Sequence, residues 1–469
     1  MSSKELVLTH DEQAIVAVSS GTAPCAIAIL RISGKNCHEL ILPCLKFVKK
    51  NWQMEYGKLS LCRLSPPHEQ KTILDEPMVV FFKGPYSYTG QDSAELHLHG
   101  GPYIIQQAME LLLQQGFRPA EPGEFTRRAY LAGKMDLSQA EGIRELIHAN
   151  SEHQWLAARQ LAGGQLRRKI ESLRSKLMES MAWLEARIDF PDEKETSAVE
   201  MQEVDSRIDL VAKAISSLRD SYDSGRVATT GLKVALFGKP NAGKSTLMNK
   251  LLGTSRALVT PIAGTTRDYL EEPCLVKGRL IRLVDTAGIR DSDCEIERLG
   301  IERSFELAEK ADIVLFIMAA DDDDSVLEQY KTWMSKDKIP RTIPVLSKED
   351  LGSPIWWQSV EQPKIVTSFK DETVSGLETL QDTLASHVDA YVKPLEEEQS
   401  FISNVRHKNA LDKAHSCLER YYQGRKQGAY EEMLAFELLE LSKQLGGIIG
   451  KVDSDDILGL VFGSFCVGK

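Results

Sequence analysis

The stretch Lys233-Val234-Ala235-Leu236-Phe237-Gly238-Lys239-Pro240-Asn241-Ala242-Gly243-Lys244-Ser245-Thr246 decides the fold of this chain. Its first five residues read as a buried strand, and Leu247-Met248-Asn249-Lys250-Leu251-Leu252 behind it has helical texture. Between them, Gly238 to Ser245 matches GxxxxGK[ST], a pattern that carries chemistry in this strand-loop-helix setting. Glycines let successive backbone N–H groups curl around phosphates at a helix N-terminus. Lys244 can reach the β- and γ-phosphates, and the Ser245 hydroxyl can ligate Mg2+. The expectation is a nucleoside triphosphate site with Asn241, Ala242, Gly243, Lys244, Ser245 and Thr246 against the phosphates.

Other parts of such a site follow in order. Gly264-Thr265-Thr266-Arg267-Asp268 supplies a hydroxyl, Thr266, that can complete a Mg2+ shell and sense the γ-phosphate. Asp285-Thr286-Ala287-Gly288 ends an apolar strand, so Asp285 can hold a Mg2+-bound water while the Gly288 N–H faces the γ-phosphate. Ser347-Lys348-Glu349-Asp350 follows the short strand Ile343 to Leu346, and a carboxylate at Asp350 can accept from the N1–H and 2-amino group of guanine, donors that adenine lacks. Thr367-Ser368-Phe369-Lys370 can close over the base. GTP is therefore preferred to ATP.

Runs such as Leu280 to Val284 and Ile313 to Ile317 alternate with helical patterns between Gly231 and about Leu384, which predicts a doubly wound α/β unit. Ahead of it, Ala26 to Ile32 and Met78 to Phe82 read as strands and Ile104 to Gln115 as a helix, a small α+β domain. From about Leu137 the texture is helical, with Leu173, Leu177, Met181, Leu184 and Ile188 on one face. Helical texture returns after Pro394. The fold class expected is thus multidomain α/β and α+β: an N-terminal α+β domain (1–130), a helical domain in two parts (131–230 and 389–469), and an α/β domain (231–388) inserted between them. The run Asp321 to Asp324 reads as a solvated loop.

A net charge of −11 disfavours non-specific adhesion to nucleic acid, so any RNA contact must be local. The eight cysteines are scattered, without a CxxC pair or zinc-like spacing. No apolar run reaches membrane-spanning length, and Met1-Ser2-Ser3-Lys4-Glu5 lacks the layout of a signal peptide, so a cytoplasmic location is expected. No GxGxxG is evident for a dinucleotide.

Motifs outside the α/β unit extend the picture: Ile29 to Gly34, Ser87-Tyr88-Thr89-Gly90-Gln91-Asp92, His99-Gly100-Gly101-Pro102, Pro122-Gly123-Glu124-Phe125-Thr126, Gly133 to Leu137, Ile188 to Pro191 and the tail Phe465-Cys466-Val467-Gly468-Lys469. Together with Asn241 and the Gly-Thr-Thr-Arg-Asp segment, they resemble the TrmE-type family of tRNA modification GTPases from about residue 10 to the end. The resemblance implies a Ras-like α/β domain and a potassium-activated GTPase. In this reading K+ is held by Asn241 and by carbonyls near Thr260, Ile262 and Thr265. Thr260, Pro261, Ile262, Ala263 and Gly264 then form the first switch beside GTP.

Ile289 stands where Ras-like enzymes carry a water-orienting glutamine, and the resemblance gives that task to Glu297, with Glu295 and Glu302 nearby as alternatives. It further implies a homodimer and a 5-formyl- or methylene-tetrahydrofolate site at Arg31, Glu95, Lys134 and the terminal Lys469, whose charges suit folate carboxylates and the pterin edge. Also implied are tRNA as substrate and a partner FAD protein of the MnmG (GidA) type, in a heterotetramer or larger complex. With that partner, an aminomethyl or carboxymethylaminomethyl group would be added at C5 of the wobble uridine.

Cys466 reads equally as a nucleophile or as a small packed hydrophobe. Two positions depart from the family pattern. Ser347 replaces an asparagine and is expected to brace the P-loop less well, and Pro261 removes an N–H where an aspartate is common. Two other readings of the chain are a GTPase switch acting on ribosomal RNA without base chemistry, and a folate-binding scaffold with vestigial hydrolysis.

Overall fold

The computed structural model describes residues 12–21, 23–69, 72–189, 198–254, 271–285, 305–336, 339–360, 364–369, 375–393, 400–451 and 455–468. They pack as two compact units. One takes the chain up to Arg144 and again from Ile449; the other runs from Glu145 to Ile448.

In the first unit, β1 (Ile15–Val18), β2 (Cys25–Ser33), β3 (Leu45–Phe47), β4 (Ser60–Leu64), β5 (Met78–Phe82), β6 (Ser93–Gly100) and β7 (Arg118–Pro119) form one sheet in the order β3-β4-β5-β6-β2-β1-β7. Neighbours are antiparallel except β1 and β7, which run parallel. Alternation along the strands sends Ala28, Leu30, Ile32, Leu96, Leu98, Val79 and Phe81 into a core shared with Leu111 and Leu112 of the helix Pro102–Gln114. The register sets Arg31 opposite Glu95 on the other face. The helix Asp455–Gly463 joins this unit, where Leu458, Phe462 and Phe465 pack with Leu137 and Ala140.

In the second unit, β8 (Leu232–Phe237), β9 (Glu271–Val276), β10 (Arg279–Asp285), β11 (Ile313–Ala319), β12 (Arg341–Ser347) and β13 (Ile365–Val366) are ordered β13-β12-β11-β8-β10-β9. All neighbours are parallel except β9 with β10. Every residue of β11 is buried, as expected of a strand covered on both faces. Leu247, Leu251, Leu380 and Leu384 cover one face and Val326, Tyr330 and Trp333 the other, which makes the sheet doubly wound. The sequence order turns around at β8, between β10 and β11, so the crevice at the strands' carboxyl ends there is the place for a ligand.

The helix Gln165–Asp189 buries Leu173, Leu177, Met181 and Leu184 along the stripe read from the sequence, with Ile188 half-buried. It packs against the helix Glu431–Ile448, which also pairs with Val405–Gln427. Chain preceding the α/β sheet therefore meets chain following it. No described helix is long and apolar enough to cross a membrane.

Candidate functional site

The P-loop leaves the carboxyl end of β8 at Gly238, where a Cβ would lie 2.1 Å from the carbonyl oxygen of Ile317. Only glycine permits that approach of loop to strand. Asn241 is left-handed at φ 63° and exposed on the loop. Gly243, at φ 91°, turns the chain into the helix Lys244–Thr254. Lys244 is buried, with Nζ donating to the carbonyls of Gly238 at 2.9 Å and Lys239 at 2.7 Å. Burial lowers its pKa, and the charges of Asp285 and Asp322 oppose that shift. Ser245 and Thr246 stand exposed on the first helical turn, where hydroxyls can serve a cation or phosphate. Asp285 closes β10, in register with Leu236 of β8.

Ser347, at the end of β12, reaches the P-loop despite its short side chain. Its Oγ donates to the carbonyl of Ala242 at 2.6 Å and lies 3.4 Å from that of Met318, so the P-loop is braced. The backbones approach closely enough that a hydroxyl suffices, and a Cβ on Gly243 would already lie 3.5 Å from Ser347 Oγ. Ser347→Ala should weaken GDP binding about threefold to tenfold, the worth of one buried hydrogen bond, as read by titration calorimetry. Unchanged affinity would show that the loop keeps its shape without it.

The segment expected to read the base is held by partners from other parts of the sheet. Asp350 accepts a hydrogen bond on Oδ1 from Ser368 Oγ at 2.8 Å, which joins two segments read separately from the sequence. Lys348 is left-handed at φ 57°, and its Nζ donates to both carboxylate oxygens of Asp321 at 2.9 Å. Phe369 packs against the core on the helix 377–392 side of the sheet. The acidic run is thus more than a solvated loop. Asp321 holds Lys348, Asp323 accepts from Lys239 Nζ at 2.7 Å, and Asp322 accepts from the Ala319 N–H at 2.7 Å. Thr260, Pro261, Ile262, Ala263, Gly264, Thr265, Thr266, Thr286, Ala287, Gly288, Glu297, Lys370 and Lys469 lie outside the described residues.

A second cluster sits in the first unit. Arg31 on β2 pairs with Glu95 on β6, Nε to Oε1 at 3.0 Å, and its guanidinium lies 5.5 Å from the ring centre of Tyr88 and 5.8 Å from that of Phe125. Tyr88 and Phe125 belong to the segments 87–92 and 122–126, whose sequences alone do not mark their rings as neighbours of Arg31. Lys134 Nζ donates to the carbonyls of Pro85, at 2.8 Å, and Ser87, which ties it to the loop that carries Tyr88. The C-terminal tail reaches the same unit: Ser19 Oγ donates to the Gly468 carbonyl at 3.0 Å, and a Cβ on Gly123 would meet Phe465 at 3.0 Å. Cys466 is exposed on that tail.

A GxxxxGK[ST] loop braced at the carboxyl end of a parallel strand, at the point where a doubly wound sheet reverses its order, defines the class of P-loop nucleotide-binding folds. Two family models match the chain, "GTP-binding protein TrmE N-terminus" over residues 14–134 and "MnmE helical domain" over residues 137–466. The tRNA modification GTPase MnmE of Aquifex aeolicus (strain VF5) is 38% identical over 460 residues, which cover 97% of this chain and 99% of that protein. Its counterpart from Natranaerobius thermophilus is 36% identical over 462 residues, 98% of this chain and 100% of that protein. That from Thermotoga maritima is 37% identical over 469 residues, 97% and 99%. The chain belongs to the MnmE (TrmE) family of tRNA modification GTPases.

Proposed function

We propose that the chain hydrolyses GTP in a potassium-activated reaction and couples it, with a flavoprotein of the MnmG (GidA) type, to modification of the wobble uridine of tRNA. A tetrahydrofolate donates the carbon of an aminomethyl or carboxymethylaminomethyl group at C5. The observation that carries this reading is the joint arrangement of Lys244, Ser347 and Asp350 at the carboxyl ends of β8 and β12. There a phosphate-binding ammonium, a loop brace and a guanine-reading carboxylate share one crevice.

The donors present fit the ions. Ser245 presents a hydroxyl on the first helical turn, with Asp285 at the end of β10, and Mg2+ bound there would neutralise phosphate charge. Asn241 presents an amide oxygen on the exposed loop, a hard donor suited to K+; Thr260, Ile262, Thr265 and Thr266 complete the proposed sets, and Glu297 orients water. Lys244 binds phosphate, Asp350 reads the base and Ser347 keeps the loop in shape.

For the folate, Arg31, Glu95 and Lys134 supply the charges, and Lys469 follows a tail tied at Gly468 into the same unit. Cys466 on that tail is a candidate for the modification chemistry. A homodimer formed through the first unit is supported by Ile27, Met78 and Leu61, which share the outer sheet face by register and are 59%, 41% and 46% exposed. The location is proposed as cytoplasmic, and the division into 1–130, 131–230, 231–388 and 389–469 as the functional domains.

The test is GTP hydrolysis in potassium and in sodium at matched ionic strength, with Asn241→Ala beside the unmodified chain. Potassium should stimulate hydrolysis at least about tenfold, and the variant should lose the stimulation. Equal slow rates in both salts would sink the cation mechanism.

A further inference from the structure

Two lysines of the nucleotide site are held by one turn. The turn begins where β11 ends. The Asp322 carboxylate accepts from the Ala319 N–H at 2.7 Å, and the Asp322 N–H donates back to the Ala319 carbonyl at 3.0 Å, so the backbone from 319 to 322 is closed on itself. Asp321 and Asp323, on either side of this closure, each take one lysine. Asp321 accepts from Lys348 Nζ on both oxygens at 2.9 Å. Asp323 accepts from Lys239 Nζ at 2.7 Å, and Ser325 Oγ takes a second bond from the same ammonium at 2.7 Å. Lys239 belongs to the phosphate loop and Lys348 to the base-reading segment, so β11 carries a bracket that spans the two ends of the nucleotide crevice.

We propose that Asp321 is a positioning residue for guanine-nucleotide binding, acting through Lys348, with Asp323 holding Lys239 of the phosphate loop in the same way. The proposal rests on the reading of residues 347–350 as the base-reading segment. Lys348 has a left-handed backbone, one residue past the end of β12 and two before Asp350. A four-carbon side chain at such a place loses rotamer freedom when it lies along a bound base. Asp321 imposes that restriction before the ligand arrives, which lowers the ordering cost charged to binding. Asp350 is preset in the same manner by Ser368, so both readers are oriented by a partner from another segment. Lys348 and Lys239 draw the carboxyls of Asp321 and Asp323 below their usual range, so the bracket is charged at neutral pH.

Two opposed consequences of a carboxylate here make the test decisive. If Asp321 positions Lys348, its removal weakens binding at the base end, equally for GDP and GTP. If instead it only adds negative charge beside the phosphates, its removal strengthens binding, and more for GTP than for GDP.

The experiment uses the full chain with fluorescent GDP and a non-hydrolysed GTP analogue, in the unmodified protein, Asp321→Asn, Lys348→Met and the double variant, together with steady-state hydrolysis. Asp321→Asn should raise Kd for both nucleotides by the same factor, about threefold to fivefold, the upper range for an exposed ion pair. KM should rise alike with kcat unchanged, and Asp321→Glu should restore most of the affinity. The double variant should bind no more weakly than Lys348→Met alone, because the two residues act through one interaction. Unchanged or tighter binding in Asp321→Asn, or losses that add in the double variant, would overturn the proposal. Asp350→Asn serves as the separate control: if it binds GDP as well as the unmodified chain, it is the base-reading assignment beneath the proposal that fails. Asp321 is exposed, and equal melting temperatures would show that the fold is untouched.

Discussion

Lys244→Ala should lower kcat/KM for GTP by at least about a thousandfold and leave the protein folded. The side chain is 6% exposed, yet the bonds recorded for its ammonium go to two carbonyls of its own loop, at 2.9 and 2.7 Å. Such a cation is costly to bury, as its lowered pKa reflects, and the carbonyls offset only part of that cost. Under the proposed function, phosphate oxygens arriving in the loop would add countercharge to that of Asp285 and Asp322. The interaction then strengthens as charge spreads over the transferring phosphoryl group. Alanine removes the cation without a clash, so the apo protein should melt within about 2 °C of the parent. Lys244→Arg should fail to rescue, because a planar guanidinium cannot occupy a space shaped around a single ammonium. Single-turnover hydrolysis under saturating enzyme reads the effect directly. A variant that keeps more than a tenth of the rate would remove Lys244 from the phosphate-binding role.

The legibility of that residue in the sequence has a physical cause. A phosphate loop is contiguous: strand, glycines, lysine and helix follow one another within 15 residues or so, and the backbone itself does the binding. The strands around Val80, Leu283 and Leu315 were legible for a similar local reason, since a buried strand needs an unbroken or alternating apolar run. What the sequence hid depends on which segments the sheet order brings together. Asp321 meets Lys348 only because β12 lies beside β11, and Asp323 meets Lys239 only because β8 lies on the other side. Read in isolation, four aspartates are a solvated loop. The brace from Ser347 was hidden for a related reason: side-chain length alone does not tell how near the Ala242 carbonyl stands. Arg31, Glu95 and Lys134 came through motif resemblance, whereas the aromatic rings of Tyr88 and Phe125 beside Arg31 required the folded sheet.

Glu124→Ala should destabilise the first unit by about 3 to 5 kcal/mol, the usual result of removing one member of a buried ionic group. Glu124 is 1% exposed, and both carboxylate oxygens are engaged. Arg118 donates to them in parallel at 2.8 and 2.6 Å, Arg128 donates from Nε and Nη2 at 3.2 and 2.7 Å, and the Glu121 N–H donates at 2.9 Å. Arg128 is itself buried, with its Nη1 donating to Gln91 Oε1 at 2.8 Å, so the network ties the Pro122 to Thr126 segment to the loop that carries Tyr88. Burial alone would push the Glu124 carboxyl up; hydrogen bonds from Arg118, the Glu121 N–H and Arg128 outweigh it and bring it down to about 2. A carboxyl lowered on folding contributes its stability above the unfolded value, about 4.5, and loses it as pH falls towards 2. The unfolding free energies of parent and variant should therefore differ by a constant amount from pH 8 to about pH 5 and draw together below about pH 4.5. In the full-length chain at pH 7, the transition of the first unit should move down by roughly 10 °C. A loss under about 1 kcal/mol, or a gap that stays constant through pH 3, would mean that the two arginines find water or other acceptors when the carboxylate is gone.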